Sequence, residues 1–75
     1  MQTGLDQVKL GKQVTVTEMT LERALQSRLR DFGLVPGTRV CCRYRSPGGQ
    51  VTALECRGAV IALRTWDMAG IRVCL

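Results

Sequence analysis

The side chains of this 75-residue chain best suited to metal or redox chemistry are its four cysteines, Cys41, Cys42, Cys56 and Cys74. Four thiolates can hold one metal ion in a tetrahedral site, but no Cys-x-x-Cys pair occurs here. Side-chain alternation along the strands predicted below places Cys42 and Cys56 in the core, and it places Cys41 and Cys74 on accessible outer faces. We therefore expect reduced thiols, no metal ligand and no cofactor in the monomer. A metal site shared between two chains through Cys41 or Cys74 stays open.

The sequence contains few residues arranged for acid–base catalysis. Histidine is absent, and no paired spacing relates the six carboxylates, which are Asp6, Glu18, Glu22, Asp31, Glu55 and Asp67. No G-x-x-x-x-G-K-[ST] phosphate-binding loop occurs either. We predict no catalytic residues, and therefore neither a GTPase nor any other enzyme.

The charge balance favours an acidic partner. Eleven Lys and Arg residues against six Asp and Glu residues give a formal net charge of +5, which suits nucleic acid, anionic lipid or an acidic protein surface. Nucleic acid would need exposed rings for stacking, yet Phe32 and Tyr44 are predicted to be in the core, which leaves only Trp66. We therefore expect no nucleic-acid binding, and a small basic nucleic-acid-binding domain remains the alternative.

Neither export nor membrane insertion is indicated. No window approaches the roughly 20 apolar residues of a membrane helix, and the segment containing Asp6 and Lys9 lacks the apolar core of a signal peptide. We expect one cytoplasmic domain spanning residues 1–75.

The candidate functional side chains must be positioned by short secondary-structure elements. Val14 and Val16 alternate with polar residues, which predicts a strand. An apolar stripe at helical spacing predicts one amphipathic helix that covers an open end of the fold and ends at Gly33; the stripe comprises Leu21, Leu25, Leu29 and Phe32. The segment Val35-Pro36-Gly37-Thr38 is typical of a type II turn.

Four further strands are predicted beyond that turn, at residues 39–45, 51–56, 59–64 and 71–75. A Gly-rich hairpin loop at 46–50 joins the first two, and residues 65–70 form a short turn or helical turn. Five short strands with one inserted helix predict a mostly β fold, a small barrel that hides its sheet edges by closing.

The sequence resembles the ferrous iron transport protein A family. The resemblance begins with "LDQVKLG" at 5–11, passes through "RLRDFGLVPGTRV" at 28–40 and ends with "RGAVIALRTWDMAGIRV" at 57–73. Between these segments the hairpin reads "SPGGQVT" where the family commonly has an apolar "PLGDP"-like stretch. The resemblance implies an SH3-like barrel, a fold shared with the C-terminal domains of metal-dependent repressors, so a metal-responsive regulatory domain is a further alternative.

The resemblance also implies a function. Family members act as cytosolic accessory proteins of ferrous iron uptake that bind the cytoplasmic part of a GTP-hydrolysing ferrous iron permease, and they reach the membrane only through that partner. The helix stripe ends beside charge, so we predict partner contact through Arg28, Leu29 and Arg30, and through Arg45 and Pro47 of the hairpin. For Leu29 the alternative is a place in the core.

Overall fold

The computed structural model describes residues 2–75 and has the predicted mostly β architecture. Its six strands are β1 (Gln2–Gly4), β2 (Gln13–Met19), β3 (Arg39–Arg45), β4 (Val51–Cys56), β5 (Ala59–Arg64) and β6 (Ile71–Cys74). Helix α1 (Arg23–Asp31) follows β2, short helix α2 (Thr65–Met68) follows β5, and a 3-10 turn at Leu5–Gln7 follows β1. The sequence predicted five strands; the additional one is β1, which is only three residues long.

All strands belong to one antiparallel sheet with the order β1-β6-β2-β3-β4-β5. The sheet curls around a single core, as in an SH3-like barrel. Within residues 2–75 the two edge strands, β1 and β5, do not pair with each other, so the prediction that closure hides the sheet edges is wrong. Alternate strand residues face inward, and α1 adds Leu29 from one end of the barrel while Leu21 and Leu25 pack partly against the core. The fully buried side chains include Leu5, Leu29, Leu34, Leu54, Met68, Ile71 and Val73.

The end of α1 forms as predicted, but its last apolar residue does not enter the core. Gly33 has a φ of +89° and donates its backbone N–H to Arg30 O, while the N–H of Leu34 donates to Leu29 O. This is a Schellman motif, in which the residue after glycine packs against the last turn of the helix. Leu34 therefore fills the core, whereas Phe32 is half exposed. The prediction that Phe32 is a core residue is wrong.

A bulge in β3 reverses the expected orientation of its second half. Cys42 pairs with Leu54 and Tyr44 pairs with the adjacent Ala53, so one extra residue, Arg43, is inserted between them. After a bulge the alternation shifts by one position. Tyr44 consequently points outward and is 58% exposed, which makes its predicted core position wrong.

Candidate docking surface

Helix α1 carries three of the five residues predicted to contact a partner, and it presents them differently. Leu29 is only 2% exposed, which agrees with the core alternative and removes its side chain from the accessible surface. Arg28 and Arg30 are both exposed. Any contact made by this part of α1 must therefore use its arginines rather than Leu29.

Arg28 and Arg30 line separate surface grooves. Arg30 lines a cavity of about 510 Å³ with Leu21, Arg23, Gln26 and Ser27, all from α1 or the residues just before it. Arg28 lines a cavity of about 350 Å³ that runs between α1 and β5 and includes Leu25, Ala62 and Arg64. Arg28 and Arg30, two positions apart, therefore lie on different sides of the helix.

The two predicted hairpin residues line neither groove. Pro47 is exposed, but the bulge in β3 turns Arg45 inward beside the buried Thr52. The Nε of Arg45 donates a hydrogen bond to Thr52 Oγ1 at 3.2 Å, and Thr52 Oγ1 lies 3.3 Å from Thr65 Oγ1. The structure therefore does not bring the five predicted residues together into one surface.

A group of apolar side chains, four of the five exposed and Ala53 half-buried, lies on the outer face of β3, β4 and β5, and the sequence analysis did not predict it. Tyr44, Ala53 and Ala62 occupy one row across the three strands. Val51 and Val60 flank that row, and Val60 is 68% exposed. We call these five residues the outer apolar face. The alternation of Val60 and Ala62 with the buried Ile61 and Leu63 could have indicated it.

Trp66 lies in α2, two residues after the end of β5, and is 62% exposed. Arg64 links it to the outer apolar face, because Arg64 pairs with Val51 across the sheet. The guanidinium carbon of Arg64 sits 5.6 Å from the centroid of the Trp66 ring, which is a cation–π arrangement. An exposed Trp held by an Arg is typical of residues that dominate binding energy at protein interfaces. Because Phe32, Tyr44 and Trp66 are all exposed, the argument that only one ring could stack on a nucleic acid is wrong.

Among residues 2–75, Arg43 and Glu55 form the one ion pair. The Nε of Arg43 donates to Glu55 Oε1 at 2.6 Å, and this hydrogen bond raises the pKa of the guanidinium. The other arginines of the described chain carry no carboxylate within salt-bridge distance, so the net positive charge is available to an acidic partner.

The thiols follow the predicted faces with one exception. Cys42 and Cys56 are buried and Cys74 is exposed, as expected. Cys41 lies on the predicted outer side but is only 6% exposed, because it sits in a depression lined by Gly11, Gln13, Arg43 and Glu55 among others. The expectation that Cys41 is accessible is wrong.

Burial also sets the chemistry of the inward thiols. Desolvation raises the pKa of Cys42 and of Cys56 above the ordinary value of 9.0, although the charges of Arg45 and Arg57, respectively, oppose the rise. Both groups are therefore protonated at neutral pH and react slowly. Within residues 2–75, no cluster of three or more Cys, Asp or Glu side chains could hold a metal ion.

The described chain has no helix with the length and apolar character needed to span a membrane.

A family model described as "FeoA domain" matches residues 3–74, nearly the whole chain. Curated proteins gave no match. The solution structure of the FeoA protein from Chlorobium tepidum is 31% identical, with a TM-score of 0.91 over 95% of this chain and 68% of that one. The FeoA-like protein from Clostridium acetobutylicum is 28% identical, with a TM-score of 0.84 over 99% of this chain and 86% of that one.

Similarity in fold extends further. A manganese-dependent transcriptional repressor superimposes with a TM-score of 0.83 at 15% identity, over 96% of this chain and only 40% of the repressor. At this identity the match shows a common fold alone.

Proposed function

The chain belongs to the FeoA domain family, and on this basis we propose that it is an accessory protein of ferrous iron uptake that docks on the cytoplasmic part of a GTP-hydrolysing ferrous iron permease. Family membership associates the chain with ferrous iron transport and with small accessory domains rather than enzymes. The identity and location of the partner are part of the proposal.

The observation that carries the proposal is the outer apolar face together with Trp66. Burial of exposed apolar area drives most protein association, and Tyr, Trp and Arg are enriched among the residues that contribute most. Here Tyr44 and Trp66 supply the rings, and Arg64 supplies a cation already positioned on one of them. A contact of this type regulates by binding, without a chemical step on the chain itself.

The proposal is tested with purified permease in lipid nanodiscs and immobilised chain, by measuring the dissociation constant. Tyr44→Ala and Trp66→Ala should each weaken binding by about tenfold or more, as for residues worth at least 1.4 kcal/mol at an interface. Leu75→Ala is the matched control, since Leu75 is also half exposed but borders a different cavity, with Val14, Arg39 and Cys74. Failure of the unaltered chain to bind the permease would refute the proposed function.

Binding of single-stranded nucleic acid is the second candidate, favoured by the exposed rings of Phe32, Tyr44 and Trp66 on a basic chain. Such binding combines base stacking with phosphate contacts and weakens steeply with salt. Titration with fluorescent oligonucleotides at 50 and 200 mM salt decides between the two. Micromolar binding that falls with salt and with Trp66→Ala would favour this candidate, and no binding would exclude it.

A further inference from the structure

One edge of the sheet is long, regular and not paired with another strand of the described chain. Strand β5 is the last in the sheet order, so within residues 2–75 one of its edges has no strand partner. It pairs with β4 over six consecutive positions without a register shift, and it contains neither proline nor lysine. Natural proteins usually protect such edges with prolines, lysines, bulges or a short strand. The opposite edge strand, β1, has only three residues.

The turn before β5 determines which backbone groups face the open edge. Arg57 and Gly58 both have positive φ, +53° and +84°, which is the pattern of a two-residue type I′ turn. In such a hairpin the pair that closes the turn, Cys56 and Ala59, is hydrogen-bonded, and hydrogen-bonded pairs then alternate along the strands. The N–H and C=O groups of the intervening residues, Val60 and Ala62, therefore point away from β4 towards the open edge.

Helix α1 forms the opposite wall of a groove beside this edge. Ala24, Leu25 and Arg28 of the helix face Ala62 and Leu63 of the strand across the cavity of about 350 Å³. That volume lies within the range of ordinary ligand-binding clefts. A groove between an unpaired strand and a helix is the arrangement in which PDZ-type domains bind an extended peptide by strand addition.

The side chains around the edge define which segment would fit. A strand added to β5 would place its side chains opposite Val60, Ala62 and Arg64 on the outer face. Neither Arg64 nor Arg28 has a carboxylate within salt-bridge distance in the described chain. Apolar residues opposite Val60 and Ala62, followed by an acidic residue opposite Arg64, would therefore be complementary.

Acidic side chains restrict the same groove. Glu22 and Asp67 also line it, so an acidic residue placed beside either of them would be repelled. The groove therefore favours a segment that carries its acidic residue at the arginines and apolar residues elsewhere. A uniformly acidic tail would fit poorly.

We propose that the groove between β5 and α1 binds an extended, apolar segment with one acidic residue from the partner protein, adding it to the sheet as a further strand. The proposal rests on the proposed function for the identity of that protein, the cytoplasmic part of the permease. It adds the mode of contact: main-chain hydrogen bonds along β5 supply affinity, and the outer-face side chains with Arg28 supply selectivity.

Residue-resolved hydrogen exchange measures this contact directly. The chain is compared alone and with purified permease in lipid nanodiscs. The amides of Val60 and Ala62 should exchange rapidly in the free chain and at least about tenfold more slowly in the complex, because they gain backbone partners. Binding with unchanged exchange at these two amides would overturn strand addition and leave the proposed function standing.

Three variants complete the test. Ala62→Pro removes an edge donor at a position where proline is tolerated, and it should weaken binding by about tenfold if one good hydrogen bond and strand geometry are lost. Arg28→Glu should weaken binding by a similar factor. Arg23→Glu is its matched control, the same charge change at an exposed arginine of α1 that lines the other groove, and it should alter affinity by less than about twofold. Equal effects of Arg28→Glu and Arg23→Glu would overturn the role assigned to the groove.

Two other outcomes would also decide against the proposal. Slow exchange at Val60 and Ala62 in the free chain that becomes fast on dilution would identify a second copy of the chain as the occupant. Absence of any binding to the permease would refute the proposed function, and with it the partner named here.

Discussion

Replacing Leu29 by alanine should lower the free energy of unfolding by about 3 kcal/mol, within the 2–5 kcal/mol typical of buried leucines. Leu29 is 2% exposed and belongs to the core. It is also the residue whose carbonyl accepts the Leu34 N–H at the end of α1, so the cavity would lie where the helix is attached to the barrel. The loss is predicted from packing alone and requires no partner.

The magnitude predicts a protein that is weakened but still folded. Stability of roughly 0.05–0.15 kcal/mol per residue implies about 4–11 kcal/mol for a chain of this length. At about 4–8 °C per kcal/mol for small domains, Leu29→Ala should lower the Tm by about 12–24 °C. Leu29→Arg should unfold the chain, because the core offers no partner for a buried charge.

The assay is urea unfolding followed by circular dichroism, together with binding to the permease below the Tm. Arg28→Ala and Arg30→Ala serve as controls, because both side chains are exposed and such changes usually stay within about 0.5 kcal/mol. Folded Leu29→Ala should bind the permease as the unaltered chain does. A shift below about 0.5 kcal/mol combined with lost binding would refute the argument and make Leu29 a contact residue.

Four further predictions concern glycines and thiols. Gly33→Ala should lower the free energy of unfolding by about 1–2 kcal/mol because Gly33 has a positive φ. The loss should exceed that of Gly37→Ala, because the new Cβ at position 33 would lie 3.0 Å from Arg57 Cδ whereas Gly37 has open space around it. Equal losses of stability for the two variants in urea unfolding would contradict this contact argument. Gly70→Ala should lower the Tm markedly because the new Cβ would overlap Thr20 O. Gly48→Ala is the control and should leave the Tm unchanged, because the nearest atom to its new Cβ, in Gln50, is 3.8 Å away. An unchanged Tm for Gly70→Ala would be inconsistent with the packing. At neutral pH only Cys74 should react quickly with a thiol reagent, as counted by mass spectrometry, and fast labelling of a second cysteine would show that burial does not protect it. Burial raises the pKa of the Cys42 and Cys56 thiols above 9.0, so the unfolded chain loses these protons at lower pH than the folded chain. The Tm should therefore fall as the pH rises past 9.0. Cys42→Ala and Cys56→Ala should each make the Tm less dependent on pH in this range.

Local sequence was sufficient to predict most of the helices, strands and turns. The alternation of Val14 and Val16, the Gly33 helix end and the Pro36-Gly37 turn are patterns whose physical causes lie within a few residues. Gly33 and Gly37 do adopt positive φ, and the Thr38 N–H donates to Val35 O at 3.0 Å across the turn. The burial of Cys42, Cys56 and Leu29 likewise follows from strand or helix periodicity.

The candidate docking surface depended on tertiary structure. A bulge is set by how two strands pair, and the extra residue Arg43 between Cys42 and Tyr44 has no marker in the sequence. It exposes Tyr44 and turns Arg45 inward, so it both creates the outer apolar face and removes one predicted contact residue. Phe32 fits the helical spacing as well as Leu29 does, but Leu34 occupies the core in its place.

Sequence alone therefore determined most of the element types, their turns, the basic charge and the family resemblance, because each depends on residue identity at short range. Tertiary structure alone decided which faces stay exposed, that Arg28 and Arg30 line different grooves, and that β5 has an open edge beside α1. These features depend on pairing and packing between segments distant in the chain, and local periodicity carries no information about that geometry.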